Sequence, residues 1–204
     1  IQFARNRPIG YSREGLLTMA MSDPNFRGKE TLFRTELLNS GAVAEVAYSN
    51  APVTQVRSNS GGFEWEGRDP QKDNDFAICR ISKKYEKTVG WKLIAGRDFS
   101  TAYATDSTAV IINETAAKYM GLKDPVGKFL GEVGSPKKAE IIGVVKDLLM
   151  DSPFEPVKQS IFFWEPGETS QIIIKIKPTV SAATAVEKIG KVVSSIIPTA
   201  SFDY

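Results

Sequence analysis

The chain has 204 residues, 42% of them apolar and 25% charged, and a net charge of +2. That suits a folded protein of one large or two small domains, and it lacks the clustered basic excess of a nucleic-acid surface. Histidine is missing and cysteine occurs once, at Cys79, which excludes a Ser-His-Asp triad, a His-ligated zinc and an internal disulfide.

Leu16–Met21 reads as a strand closed by Asp23-Pro24, and Lys29–Ser40 as a helix. Leu32, Phe33 and Leu37 are expected on its buried side, with Glu30 and Arg34 paired at i,i+4 outside. Gly41 ends the helix, and Val43–Tyr48 completes a β-α-β unit. After the polar stretch Arg57–Gly62 the elements shorten. Gly62–Gly67 and Asp75–Ser82 are expected to pair as strands across the charged loop Arg68–Asn74. Cys79 sits in the second of these, where a small buried hydrophobe is the natural reading.

A helical turn at Tyr85–Val89, a short strand at Trp91–Ile94 and the Gly96-Arg97-Asp98 turn follow. Ala109–Ile112 is a β-branched strand, and Asn113 is placed to cap the helix that starts at Glu114. That helix stops at Gly121, with Leu122 free to pack back, before the Asp124-Pro125 turn. Further strands are expected at Ala139–Val145 and Ser160–Trp164. Ile172–Lys177 alternates, with Ile172, Ile174 and Ile176 on one face. Ser181 caps a last helix whose stripe is Ala182, Ala185/Val186, Ile189, Val192/Val193 and Ile196. Gly190 costs it about 1 kcal/mol relative to alanine, Pro198 stops it, and Ala200–Tyr204 is a candidate final strand.

The fold class is therefore α+β. One subdomain is expected from residues 1–56 and 166–204, built of two β-α-β units, with a mostly β subdomain, 57–165, inserted between them.

Motifs that promise chemistry fail on spacing. In Gly121–Lys128 five residues separate the glycines where a phosphate loop has four, Phe129 replaces the magnesium-binding hydroxyl, and a helix precedes it. Asp69, Asp73 and Asp75 with Asn74 approach a calcium loop, but Asn74 takes the position that needs Gly and Arg80 the one that needs Glu. Asp147, Asp151 and Glu155 read as loop charges rather than a glycosidase pair. No catalytic residue, metal or cofactor is expected. Phe63, Trp65, Phe99 and Tyr103 are candidate partner contacts, with a small core as the competing place for Phe63 and Trp65. At the ends, Phe3, Arg5, Arg7 and Tyr204 are candidate membrane-proximal residues, since basic and aromatic side chains suit an interface.

Leu93–Ser100 (LIAGRDFS), Ala109–Lys128, and Ile141–Phe163 with its GVVKD and EPVK resemble segments of one known family, as do Leu16–Met21 and Ile172–Tyr204. The family is the extracytoplasmic core domain of MacB/FtsX/LolC-type ABC-transporter permeases, in a Bacteroidetes-like version, and the resemblance runs over nearly the whole chain. It implies that the end-built part is a porter-like subdomain and the insertion a Sabre-like one, on the periplasmic side of the bacterial inner membrane. It also implies a non-catalytic role, in which ATP-driven motion is transmitted to a periplasmic partner or substrate, as in efflux or lipoprotein release. The implied partners are a cognate ABC ATPase subunit, a second permease subunit, a periplasmic adaptor protein and the membrane through flanking helices. The ATPase would be on another chain. A peptide- or ligand-sensing module is the alternative, and would need an aromatic-lined pocket of roughly several hundred Å³.

Overall fold

The computed structural model describes residues 9–21, 23–152, 154–165, 167 and 169–198. The chain begins with β1 (Leu16–Ala20), α1 (Glu30–Asn39) and β2 (Val43–Ser49). Its middle supplies β3 (Asn59–Ser60), β4 (Phe63–Glu64), β5 (Phe76–Ile81), α2 (Tyr85–Val89) and β6 (Leu93–Gly96). Next come β7 (Val110–Asn113), α3 (Glu114–Met120), β8 (Phe129–Glu132), β9 (Lys138–Val145) and β10 (Ser160–Trp164). β11 (Gln171–Ile176) and α4 (Ala182–Ile196) complete the α+β set among the described residues.

β11 lies between β1 and β2 and is antiparallel to both. The strand from the far end of the sequence thus splits the N-terminal β-α-β unit. Ile172, Ile174 and Ile176 turn toward α1 and α4, where they meet Val43, Val46 and Tyr48, while Ile173 faces the opposite side of the sheet. In α1 only Phe33 and Leu37 are fully buried. Leu32 is 51% exposed, because one helical step turns it about 100° from Phe33. Arg34 also departs from expectation: it bonds Glu45 on β2, and Glu30 instead accepts the Gly28 amide. A strand neighbour beat the i,i+4 pair. In α4 the buried line is Ala185, Ile189 and Val193, capped by the Ser181 hydroxyl on the Thr184 amide; Ala182, at the first turn, is exposed. The expected strand Ala200–Tyr204 lies outside the described residues.

The middle of the chain forms a ring of strands. β5 runs parallel to β10, β10 antiparallel to β7, β7 parallel to β9, and β9 antiparallel to β8. β4 then pairs with β8, and β3 returns to β5. The expected pairing of Gly62–Gly67 with Asp75–Ser82 is therefore wrong in partner. Gly61-Gly62 bends the chain between two different neighbours, and a Cβ on Gly61 would lie 2.2 Å from the Asn74 carbonyl. Asn74 pins the bend by accepting the Phe63 amide and donating to the Phe63 carbonyl, at 3.1 Å each. Inside the ring Phe63, Phe76, Ile78, Val110, Ile112, Leu130, Ile141 and Ile161 pack together, with Ala116 and Met120 of α3.

The two parts meet where β2 pairs with β5 through a single residue pair, Ser49↔Ile81. Side chains lengthen this join. Asn50 bonds both the Arg80 amide and the Ile78 carbonyl, and the Ser82 hydroxyl accepts the Tyr48 amide. Strand alternation places the α1/α4 core and the ring core on one face of the sheet. The other face carries a third core shared by both parts: Ala47 and Ile173 from the ends, Cys79, Ile81, Ile111, Val145 and Phe162 from the ring strands, with Tyr85, Val89, Trp91 and Leu148 over them. Burial there pushes the Cys79 thiol up to about 12, so it stays a neutral packing group.

Candidate functional site

Two constellations sit at this shared core. The first is the end of β9, where the GVVKD residues converge on the start of α3. Asp147 accepts from the Thr115 amide (2.9 Å) and hydroxyl (2.8 Å), and Lys146 bonds Glu114 at 3.1 Å. Asn113, fully buried, accepts from the Ala116 and Ser160 amides at 2.9 Å each and donates to the Lys158 carbonyl. It caps α3 and ties β7 to β10 at once. A cleft of about 650 Å³ opens here, lined by Tyr11, Lys92, Glu114, Lys146 and Asp147 among others.

The second constellation is the turn after β6. Asp106 is fully buried and takes a two-pronged bond from Arg97, 2.8 and 2.7 Å, plus the Ser100 amide at 2.7 Å. Burial by itself would raise this carboxyl; the Arg97 bonds and the Ser100 amide reverse that and hold it below the usual range. Next to it, the Asp98 carboxylate accepts the Trp91 indole N–H at 3.1–3.2 Å. Burial, with nearby Glu86 adding to it, lifts the Asp98 carboxyl to about 6.

The sequence profile described as the MacB-like periplasmic core domain matches residues 9–192. The chain belongs to this family. A search of curated proteins returns no match. Among solved structures, the periplasmic region of MacB from Actinobacillus actinomycetemcomitans superposes with a TM-score of 0.60 at 17% identity, over 96% of this chain and 89% of that one. The extracellular domain of the noncanonic ABC-type transporter YknZ from Gram-positive bacteria gives 0.58 at 16% identity, over 90% and 96%. The protein is thus a periplasmic domain of a MacB-like ABC-transporter permease, a class that works with ATPase subunits. No helix among the described residues is long and apolar enough to cross a membrane.

In this MacB-like domain the residues singled out from sequence are dispersed. Phe63 is buried in the ring core, its ring edge-on to Phe76 at 5.6 Å; Trp65, partly buried, packs on the same ring at 5.9 Å. Phe99 packs beside Trp164 at the rim of the shared core. Tyr103 is half exposed, and its ring lies 3.9 Å under the Arg97 guanidinium, so it backs the Arg97–Asp106 pair. Phe3, Arg5, Arg7 and Tyr204 lie outside the described residues.

The rejected motifs are taken up in structure. Gly121 closes α3 at φ 69°, the Gly127 amide bonds the Ile141 carbonyl, and Lys128 reaches Glu66. Asp69 turns to Gln71 and Lys72, Asn74 inward to Phe63, and Asp75 to Lys158. Asp147 and Asp151 serve different partners, Thr115 and the Val56 amide. Sequence reasoning missed the Arg97–Asp106 pair and the second role of Asn113. Both join residues through the fold, and only the polar Asn113 at the end of an apolar run gave a local sign of either.

Proposed function

We propose that this domain is the extracytoplasmic lever of its permease. Motion driven by ATP on the cytoplasmic side reaches it through membrane helices and is passed to a periplasmic partner or substrate. The porter-like part, 1–56 with 166–204, and the Sabre-like part, 57–165, would be the two arms. The observation that supports this reading is the shared core, which takes side chains from both chain-end strands and from the inserted ring. A displacement of either arm presses on close-packed side chains, and packed interiors transmit strain rather than absorb it. The sheet itself passes between the arms through the short Ser49↔Ile81 join, flanked by the Asn50–Arg80 and Ser82–Tyr48 backbone bonds.

The test places spin labels at Val133→Cys, on the exposed end of the β8–β9 ribbon, and Glu187→Cys on α4, in the full permease with its ATPase. Buried Cys79 takes no label. The interlabel distance is expected to differ between nucleotide-free and ATP-bound states. An unchanged distance in an enzyme that still hydrolyses ATP would overturn the lever.

One observation favours the sensing alternative. A cleft of about 470 Å³ is lined by Phe63, Leu130, Phe163 and Trp164 with Lys137 and Lys138 at its edge, a size and lining suited to a small ligand or peptide side chain. A thermal-shift screen with peptides separates the two readings. Consistent stabilisation that is lost in Phe163→Ala supports sensing.

A further inference from the structure

Ile9–Ser12 belongs to no strand, yet it is fastened to the molecule from both arms. The Leu149 amide donates to the Ile9 carbonyl at 3.0 Å, and the Ser12 amide to the Val89 carbonyl at 2.9 Å. From the other arm Lys175 on β11 donates to the Ser12 hydroxyl and the Glu14 carbonyl, at 2.8 Å each. Gly10, at φ +77°, crosses directly over the Asp147 carbonyl, where a Cβ would fall 2.0 Å from the oxygen. No other residue type fits that crossing.

Between these fasteners Tyr11 sets its ring into the shared core at 8% exposure. Its hydroxyl is buried and has no hydrogen-bond partner among the described residues. A buried, unpaired hydroxyl is a standing penalty on the closed state, because water satisfies it as soon as the segment lifts. The segment thus combines a few backbone bonds, one close glycine contact and one ring that closes at a cost. That is the make-up of a part that opens before the cores beneath it.

We propose that Ile9–Ser12 is a releasable strap across the junction of the two arms, one that opens locally without unfolding either arm. Lifting it frees Asp147–Leu149, uncovers the shared core beside Val89, and removes a segment hydrogen-bonded both to Lys175 on β11 and to Leu149, just past β9. A pull on the chain ahead of Ile9 would act on the strap first. The strap deepens the lever reading but is measured without the transport cycle, so failure of either leaves the other standing.

Amide hydrogen exchange on this chain tests it. The Ser12 and Leu149 amides report the strap, and the Ile189 amide in α4 reports the core. In the unaltered protein the strap amides are expected to exchange much faster than Ile189. Tyr11→Phe removes the unpaired hydroxyl and should slow both strap amides by roughly fivefold or more. Gly10→Ala should speed them by about tenfold and leave Ile189 unchanged. The proposal is overturned if the strap amides exchange at the Ile189 rate in the unaltered protein, or if Tyr11→Phe leaves them as fast as before. Should Gly10→Ala fail to fold, Tyr11→Phe decides alone.

Discussion

Asp98 and Asp106 stand eight positions apart and respond to pH in opposite senses. Asp106 has its guanidinium and an amide, so its carboxylate is favoured by folding. Asp98 has an indole N–H and a neighbouring acid, and its carboxyl is raised from 3.8 to about 6. A raised value in the folded state means that the contribution to stability is complete below 3.8 and is lost as pH rises through about 6. Asp98→Asn keeps an acceptor for Trp91 and cannot ionise. It should therefore stabilise the domain at pH 7.5 by about 1 kcal/mol, the full shift being discounted because the carboxyl is partly open to water. Below pH 3.8 it should have no effect. Urea midpoints of the two proteins that stay equally far apart at both pH values would refute this. Asn113 offers a second case. A helix cap alone is worth about 1 kcal/mol, but this side chain also holds the Ser160 amide and the Lys158 carbonyl inside the protein. Asn113→Ala is expected to cost roughly 3 kcal/mol, and a loss of only about 1 kcal/mol in equilibrium unfolding would show that the links to β10 count for nothing.

Elements with local causes were legible in the sequence. The capped helix after Asn113, its stop at Gly121, the Ser181 cap and the β-branched or aromatic strands β7, β9, β10 and β11 each depend on residues a few positions apart, and each appears within a residue or two of its expected place. The failures depend on remote partners. β8, Phe-Leu-Gly-Glu, has neither alternation nor β-branched residues, and it is a strand because β4 and β9 flank it. Phe63–Glu64 was recognisable as extended, but nothing nearby in the sequence says that it leaves β5 for β8. That choice is made by Asn74, which looked like part of a charged loop and is 8% exposed. Asn74→Ala would leave the Phe63 amide and carbonyl unpaired inside the protein, at a cost of roughly 2–4 kcal/mol. Its effect should be local to the ribbon: amide exchange should quicken at Phe63 and at Val133, which donates to the Gly62 carbonyl, ahead of β11. Equal acceleration at β11 would mean that Asn74 does not control the closure of the ring.

At the scale of the molecule, three cores share one sheet but not one consequence. The α1/α4 core takes its side chains from residues 26–48 and 172–197 and the ring core from residues 63–161, whereas the third draws on both sets. Ile173 and Ile189 make a matched comparison: both are fully buried, the first in the shared core on β11, the second in the α1/α4 core. Truncating either to alanine removes the same atoms and should cost about 2–5 kcal/mol. The reach of the damage should differ. Ile189→Ala should speed exchange in α1, α4 and β11 and leave the Phe162 and Ile111 amides of the ring as protected as before. Ile173→Ala opens a cavity against side chains contributed by the ring, so Phe162 and Ile111 should lose protection although the substitution lies in the other arm. If the two variants alter exchange in the ring to the same degree, the third core is not the mechanical link between the arms, and the coupling must run through the Ser49↔Ile81 join instead.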